Sequence, residues 1–156
     1  MKLYKKILLI ISFLLAITSC QEQWPYYHEY HSVDSNDWFT NDKVQLHVPA
    51  LPHDTTLNMS LCLRNTQTYT YQYLNLCMSI KDDTTHQSLK TLTFKVPVYD
   101  DNGLAIGKGF PYLEAEYEIQ GERLKLKKGH TYTVSIWHNM HKPSINGITD
   151  IGIKLY

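Results

Sequence analysis

The sequence has few of the features that mark nucleic-acid-binding proteins or zinc proteins. Lysine and arginine together number 15, and aspartate and glutamate also number 15, so the chain carries no formal net charge. This balance provides no basic face for nucleic acid, and we expect no nucleic-acid partner. Only three cysteines are present, and no second pair accompanies Cys62 and Cys77, which argues against a zinc site.

Catalytic motifs are lacking as well. Gly107-Lys108-Gly109 has neither the upstream glycine nor the following serine or threonine of a phosphate-binding loop. No G-x-S-x-G nucleophile elbow occurs. Two H-x-x-H pairs, His28 with His31 and His138 with His141, have no nearby glutamate in a metalloprotease pattern. The sequence therefore predicts no enzyme activity, no cofactor and no metal site.

The chain has only one long apolar run, from Ile7 to Ile17. A membrane-spanning helix needs roughly 20 apolar residues, so this run suits the core of a signal peptide instead. It follows three lysines and precedes Thr18-Ser19-Cys20, the pattern of a lipobox. We expect Cys20 to carry the lipid that attaches the mature protein to a membrane, since two or more acyl chains give stable anchoring. The alternative is a plain secretory signal in which Cys20 has no role.

Cleavage before Cys20 would leave 137 of the 156 residues, a typical size for one domain. Three of the 15 basic residues lie in the signal segment, so 12 basic and 15 acidic residues would remain, a formal charge of −3. We expect a signal peptide over 1–19, a lipidated N-terminus and tether over 20–37, and one folded domain over 38–156.

Apolar residues in the rest of the chain recur with a period of two, which is typical of strands. The alternating sets are 44–48, 57–63, 74–80, 92–98, 112–119, 132–136 and 148–156. Turn residues separate them, with Asp100-Asp101-Asn102-Gly103 and Asn146-Gly147 as the strongest signals. No long helix is indicated. The pattern predicts an all-β protein, a single antiparallel β-sandwich of immunoglobulin-like or jelly-roll-like kind.

Cys62 and Cys77 each fall on the more polar face of a predicted strand. If those two strands form a hairpin, pairing residue 62 with 77 also places polar residues opposite polar residues. An oxidising envelope compartment would then allow a disulfide between them. The alternative is two small, half-buried thiols on neighbouring strands.

Tyrosines form the most suggestive candidate surface. Tyr69, Tyr71 and Tyr73 recur at a spacing of two, so one face of a strand could present all three. A stacking platform for a sugar, or a groove for a partner chain, would use rings in this way. Further members of the set are Trp38, Trp137 and Arg64, which can extend the platform or stack on its rings. The alternative is ordinary cross-strand packing of tyrosine in a sandwich.

Taken together, the residues resemble the GldH family of gliding-motility lipoproteins. The resemblance covers most of the mature chain and rests on the order of its parts, none of them specific alone. They are Cys20, Trp38, Asp42-Lys43-Val44, Leu63-Arg64-Asn65, Tyr69, Tyr71, Tyr73-Leu74-Asn75-Leu76, Asp100 to Gly103, Gly107-Lys108-Gly109, Met140, and Gly147 to Gly152.

Two positions depart from the family pattern. A tryptophan is expected near Leu104-Ala105-Ile106 and is missing, and His141 stands where an arginine is expected after Met140. If these positions contact partners in gliding members, this chain binds differently or belongs to a non-gliding relative.

The resemblance implies a lipid-anchored protein in the cell envelope of a Gram-negative bacterium, at the outer membrane, with no known catalytic residue or cofactor. It also implies protein partners in the gliding apparatus and the protein-secretion system linked to it. We therefore expect a non-catalytic interaction module. A glycan-binding envelope lipoprotein is the alternative, motivated by Tyr69, Tyr71, Tyr73 and the two tryptophans of the domain.

Overall fold

The computed structural model describes residues 25–33 and 37–156. The described residues form ten strands and no helix, and none of them could cross a membrane as an apolar helix. The strands are β1 (Tyr27–Ser32), β2 (Asp37–Phe39), β3 (Val44–Val48), β4 (Thr55–Asn65), β5 (Tyr73–Asp82), β6 (Ser88–Pro97), β7 (Leu113–Leu126), β8 (Tyr132–His138), β9 (Ser144–Asn146) and β10 (Ile148–Leu155).

Two four-stranded sheets make up most of the domain. The first sheet has the order β1-β10-β4-β7 and the second has the order β3-β8-β5-β6, while β2 pairs with β9. Every pairing between named strands is antiparallel. The sheets pack against each other around one core, which confirms the predicted β-sandwich.

Alternation explains why these segments become strands. In β3, Val44, Leu46 and Val48 are buried and the two residues between them are exposed. Other strands of both sheets direct their apolar residues into the same core, including Leu61, Leu63, Leu74, Leu76, Met78, Val134, Ile136, Ile151 and Ile153. Each such side chain contributes about 1.5–3 kcal/mol by leaving water.

The folded part begins earlier than the predicted boundary at residue 38. Strand β1 lies within the predicted tether, residues 20–37, and pairs with β10 from Tyr27 opposite Leu155 to Ser32 opposite Asp150. Tyr27 is buried against the core. This pairing makes β1 an integral edge strand of the first sheet. The predicted signal peptide and Cys20 lie outside the described residues.

The predicted hairpin that would join Cys62 to Cys77 is wrong. Cys62 lies in β4, between β10 and β7 of the first sheet, whereas Cys77 lies in β5 of the second sheet. The consecutive strands β4 and β5 belong to opposite sheets, so the two thiols are not cross-strand neighbours. Both cysteines are free, and no disulfide joins them.

Asn146-Gly147 is a turn between strands that do not pair with each other, because β9 pairs with β2 and β10 pairs with β1 and β4. Gly147 has a φ of 85°, which favours glycine. A Cβ placed there would overlap the backbone nitrogen of Tyr69 and lie 2.7 Å from its Cα. The turn thus holds Tyr69 in the core through a backbone approach that only glycine permits.

Candidate functional site

The outer face of the first sheet carries three rows of side chains that cross all four strands in register. They are His28, Lys154, Ser60 and Glu118; Tyr30, Gly152, Cys62 and Glu116; and Ser32, Asp150, Arg64 and Glu114. Sequence reasoning placed only Arg64 and Cys62 among candidate residues. The other partners come from strands far away in sequence, and the rows exist only once the sheet has formed.

Tyr30 is the centre of this face. Its ring lies over Gly152, where a Cβ would stand 2.9 Å from Tyr30 Cδ1, so the missing side chain makes room for it. The guanidinium carbon of Arg64 lies 3.9 Å from the centre of the ring, a cation–π contact. Tyr30 Oη donates a hydrogen bond to Glu114 Oε1 at 2.9 Å, and Arg64 Nε donates to Glu114 Oε2 at 3.0 Å.

These contacts change the acidity of the groups involved. The hydrogen bond from Tyr30, together with the one from Arg64, lowers the pKa of Glu114. Burial and the carboxylate of Glu114 raise the pKa of Tyr30 above its ordinary value. At neutral pH the cluster therefore contains a neutral phenol between an ionised carboxylate and a guanidinium. The lowered pKa makes Glu114 a weaker base than an ordinary glutamate.

Cys62 lies beneath this cluster and is 1% exposed. Burial, with help from the charge of Glu116, raises the pKa of the Cys62 thiol to about 12. The thiolate is the nucleophilic form of cysteine, so this thiol is inert near neutral pH. The Cys62 side chain fills space under Tyr30.

An open basin of about 570 Å³ lies beside Arg64 and Glu114. Its opposite wall comes from the loop 98–112, which connects β6 to β7 and which we call the distal loop. The other lining residues are Ser32, Lys108, Gly109, Phe110, Tyr112, Thr149 and Asp150. The basin thus joins charged side chains of the sheet to aromatic side chains of the loop.

The distal loop exposes four large apolar side chains. Phe110 is 93% exposed, Leu104 66%, Tyr112 50% and Ile106 38%. The loop is nonetheless held in place: Asp100 N–H donates to Leu104 O at 2.8 Å, and Lys108 and Glu114 exchange two backbone hydrogen bonds of 2.9 Å. The predicted turn at 100–103 is confirmed by the hydrogen bond from Gly103 N–H to Asp100 O, 3.0 Å.

The distal loop lies at the end of the first sheet that is far from Tyr27, the first residue of β1. Strand β1 starts with Tyr27 beside Leu155 and ends with Ser32 beside Asp150. Asp150 is in the row of Arg64 and Glu114, and the loop enters β7 one residue before Glu114. Six strand residues span about 17 Å, so at least this distance separates Tyr27 from the loop's entry.

Two residues of the predicted aromatic surface are core residues instead. Trp38 is 0% exposed, and its indole N–H donates to Asp42 O at 2.7 Å. Tyr69 is 1% exposed, and its hydroxyl donates to Tyr73 O at 2.8 Å. Because neither ring reaches solvent, neither can stack on a sugar, and the glycan-binding alternative loses part of its platform.

The remaining members of that set lie apart. Tyr73 and Trp137 are half-buried on the outer face of the second sheet. Lys95 Nζ lies 3.7 Å from the centre of the Tyr73 ring, and Lys43 Nζ lies 4.4 Å from the centre of the Trp137 ring. Tyr71 is a half-buried loop residue in edge contact with Tyr69. Arg64 belongs to the opposite sheet. The predicted continuous surface of Tyr69, Tyr71, Tyr73, Trp38, Trp137 and Arg64 is therefore not formed.

His138, from one of the two H-x-x-H pairs, is a buried structural residue. Its Nε2 lies 3.0 Å from the carbonyl oxygen of Trp38, to which it donates a hydrogen bond. Burial lowers the pKa of His138, which favours the neutral ring. Within residues 25–33 and 37–156, no three histidine, cysteine or acidic side chains cluster as metal ligands would.

Solved structures with a similar arrangement are distant. An isomalto-dextranase of Arthrobacter globiformis T6, complexed with panose, matches with a TM-score of 0.44 and 10% identity over 81% of this chain and 23% of its own. A family 35 carbohydrate-binding module of Clostridium thermocellum matches with a TM-score of 0.37 and 11% identity, over 81% of this chain and 97% of the module. Latent PorU of Porphyromonas gingivalis matches with a TM-score of 0.35 and 8% identity, over 88% of this chain and 13% of PorU. This chain thus spans about a quarter of the dextranase, and similarities this low carry no functional argument.

No protein of curated function matches the chain by sequence. The family model of the GldH lipoprotein matches residues 25–155, which includes every strand of the sandwich. The match begins two residues before β1, in agreement with the early start of the fold. The chain belongs to the GldH lipoprotein family.

Proposed function

We propose that this protein is a non-catalytic docking component of the gliding apparatus and of the protein-secretion system linked to it. A lipid on Cys20 attaches it to the outer membrane, and the distal loop contacts a protein of the apparatus. Membership of the GldH lipoprotein family supports the setting. The exposed distal loop is the observation that supports docking as the activity.

The distal loop has the composition and stiffness of a binding surface. Four of its side chains are large, apolar and exposed, and they fall within nine residues of sequence. Contiguous apolar exposure of this kind marks interaction sites in soluble domains. Aromatic side chains such as Phe110 and Tyr112 dominate the energetics of many interfaces, and Arg64 beside them is a residue type enriched at the same places.

The position of the loop favours a protein over the lipid bilayer as its partner. The seven residue steps from Cys20 to Tyr27 reach at most about 25 Å, so a lipid on Cys20 would hold the start of β1 within this distance of the membrane. The distal loop lies beyond the other end of that strand. An anchor at one end and an apolar surface at the other let the domain present the loop away from the membrane.

The test is crosslinking and affinity purification from membranes of the source bacterium. A Phe110→Ser, Tyr112→Ser double variant should accumulate normally but recover gliding or secretion components at least about tenfold less well than the wild type. Leu89→Ser is the matched control, since Leu89 is 42% exposed but lies in β6, outside the loop. Equal recovery by the double variant would show that the loop is not the docking surface. Recovery of no such component by the wild type would refute the proposed function itself.

A further inference from the structure

Strands β6 and β7 are free edges on the same side of the sandwich. Each is the last strand of its sheet, and they have 10 and 14 residues, against six and five in the opposite edge strands β1 and β3. Side-chain contacts between them include a hydrogen bond of 2.6 Å from Tyr117 Oη to Pro97 O and an ion pair of Lys90 with Glu122. Within the described part of the chain, no other strand pairs with the outer side of β6 or β7.

The sandwich is open along this side. The core-facing residues of edge strand β3 are at most 4% exposed. Val96 of β6 and Leu124 and Leu126 of β7 are buried in the same core. Four further apolar residues of the two strands pack against that core but remain only half-buried; they are Leu92, Phe94, Tyr117 and Ile119. A groove of about 490 Å³ lies between the two strands, with Phe94, Val96 and Ile119 among its lining residues. The groove between β6 and β7 is therefore open to solvent, and no strand of the described residues covers it.

The backbone of β7 shows how a further strand would pair with it. Glu114 N–H and C=O both bond to Lys108 of the distal loop at 2.9 Å, so they point away from β4 toward the free edge. Alternate residues of an antiparallel strand present their backbone groups to the same side. Glu116 and Glu118 therefore each direct their backbone N–H and C=O toward the free edge, on the same side as the groups of Glu114 that bond to Lys108. A free edge of this kind is a template for an added strand.

The side chains of β7 specify the chemistry of that strand. The outer face carries Glu114, Glu116 and Glu118, and the groove face carries Ala115, Tyr117 and Ile119. A second copy pairing β7 with β7 about Tyr117 would set glutamate opposite glutamate, which is unfavourable. A complementary strand has basic side chains on the outer face and apolar side chains toward the groove.

We propose that the free edge of β7 binds an extended segment of a partner protein as an added strand, and that this segment alternates apolar with basic residues. The apolar side chains cover Phe94, Tyr117 and Ile119, while the basic ones meet Glu118 and Glu116. The carboxylate of Glu116 also forms an ion pair with Lys154 across the sheet, at 3.0 Å. This inference rests on the proposed function only in taking the partner to be a protein.

A peptide titration tests the charge pattern. The full chain in detergent is titrated with a fluorescent nonapeptide of alternating valine and lysine, a scrambled peptide of the same composition, and an alternating valine and glutamate peptide. The valine–lysine peptide should bind best, and Glu118→Lys should weaken it by about threefold to tenfold while strengthening the valine–glutamate peptide. Asp42→Lys, an exposed charge reversal at the end of the domain near β2, should leave the order unchanged.

Amide hydrogen exchange tests the backbone pairing. At a peptide concentration ten times the Kd, the amides of Glu116 and Glu118 should exchange about tenfold more slowly, whereas the amide of Thr91 in β6 should not. Equal binding of the scrambled peptide, or binding without protection of these two amides, overturns the inference. Both measurements use the purified protein, so a negative result in either does not contradict the proposal that the distal loop docks onto the apparatus. In the same way, loss of docking by the Phe110 variant does not contradict the added strand on β7.

Discussion

Replacing Gly147 by alanine should destabilise the protein much more than the same replacement at Gly103. Both glycines have a positive φ, 85° and 79°, and a residue with a Cβ loses about 1–2 kcal/mol in that conformation. At Gly147 the new Cβ would also overlap the backbone of Tyr69, whereas at Gly103 nothing lies within 4 Å of it. Overpacking of this kind costs about 1–3 kcal/mol more, because backbone has to move. The expected losses are about 2–5 kcal/mol for Gly147→Ala and about 1–2 kcal/mol for Gly103→Ala.

Urea unfolding of the two variants and the wild type measures these losses, provided that the transitions stay two-state. The difference between the two variants isolates the overlap with Tyr69, since the conformational cost is common to both. Equal losses would refute the reasoning and would mean that Tyr69 moves freely away from the turn. In that case the buried position of Tyr69, which removes it from any binding surface, would not depend on Gly147.

Two further predictions concern titration and thiol chemistry. Burial lowers the pKa of His138, so the histidine binds a proton more tightly in the unfolded chain than in the folded protein. The free energy of unfolding should therefore fall as the pH drops below 6.5, and it should level off below the pKa of the folded state. The difference in unfolding free energy between wild type and His138→Gln, measured from pH 7.5 to pH 5, should show this slope, and a flat difference would contradict it. Iodoacetamide at pH 8 should modify the half-buried Cys77 in the native protein and reach Cys62 only after unfolding, because burial raises the Cys62 pKa to about 12. Mass spectrometry that finds both thiols alkylated at one rate would refute that expectation.

The strands that the sequence predicts well are those whose alternation is complete. Strands β3, β5 and β8 each place every second residue in the core, so a period of two identifies them without further information. Strand β1 escaped detection because only Tyr27 among its residues is buried. It becomes a strand through its pairing with β10, at the other end of the sequence. Local pattern cannot report a strand that depends on so distant a neighbour.

The candidate site was harder to predict for a related reason. The spacing of Tyr69, Tyr71 and Tyr73 suggested one face of a strand, but only Tyr73 belongs to a strand, and the turn at Gly147 holds Tyr69 inside. Arg64 was predicted to belong to a partner or glycan surface; it lies half-buried on the outer face of the first sheet, and its partner Glu114 is 50 residues away in sequence. Alternation places Arg64 on an outer face, whereas only the order of strands in the sheet shows which side chains share that face.

The distal loop and the free edge of β7 form one continuous structure. The two backbone hydrogen bonds between Lys108 and Glu114 attach the distal loop to β7. They are also the first hydrogen bonds on the free edge of that strand. A strand that continues these hydrogen bonds at Glu116 therefore begins next to the segment that carries Phe110 and Tyr112. Strand β1 occupies the opposite edge of the first sheet from β7, and only Ser32 at its end lines the basin beside the loop. A single partner can then hold the aromatic side chains with one part and add a strand with the next.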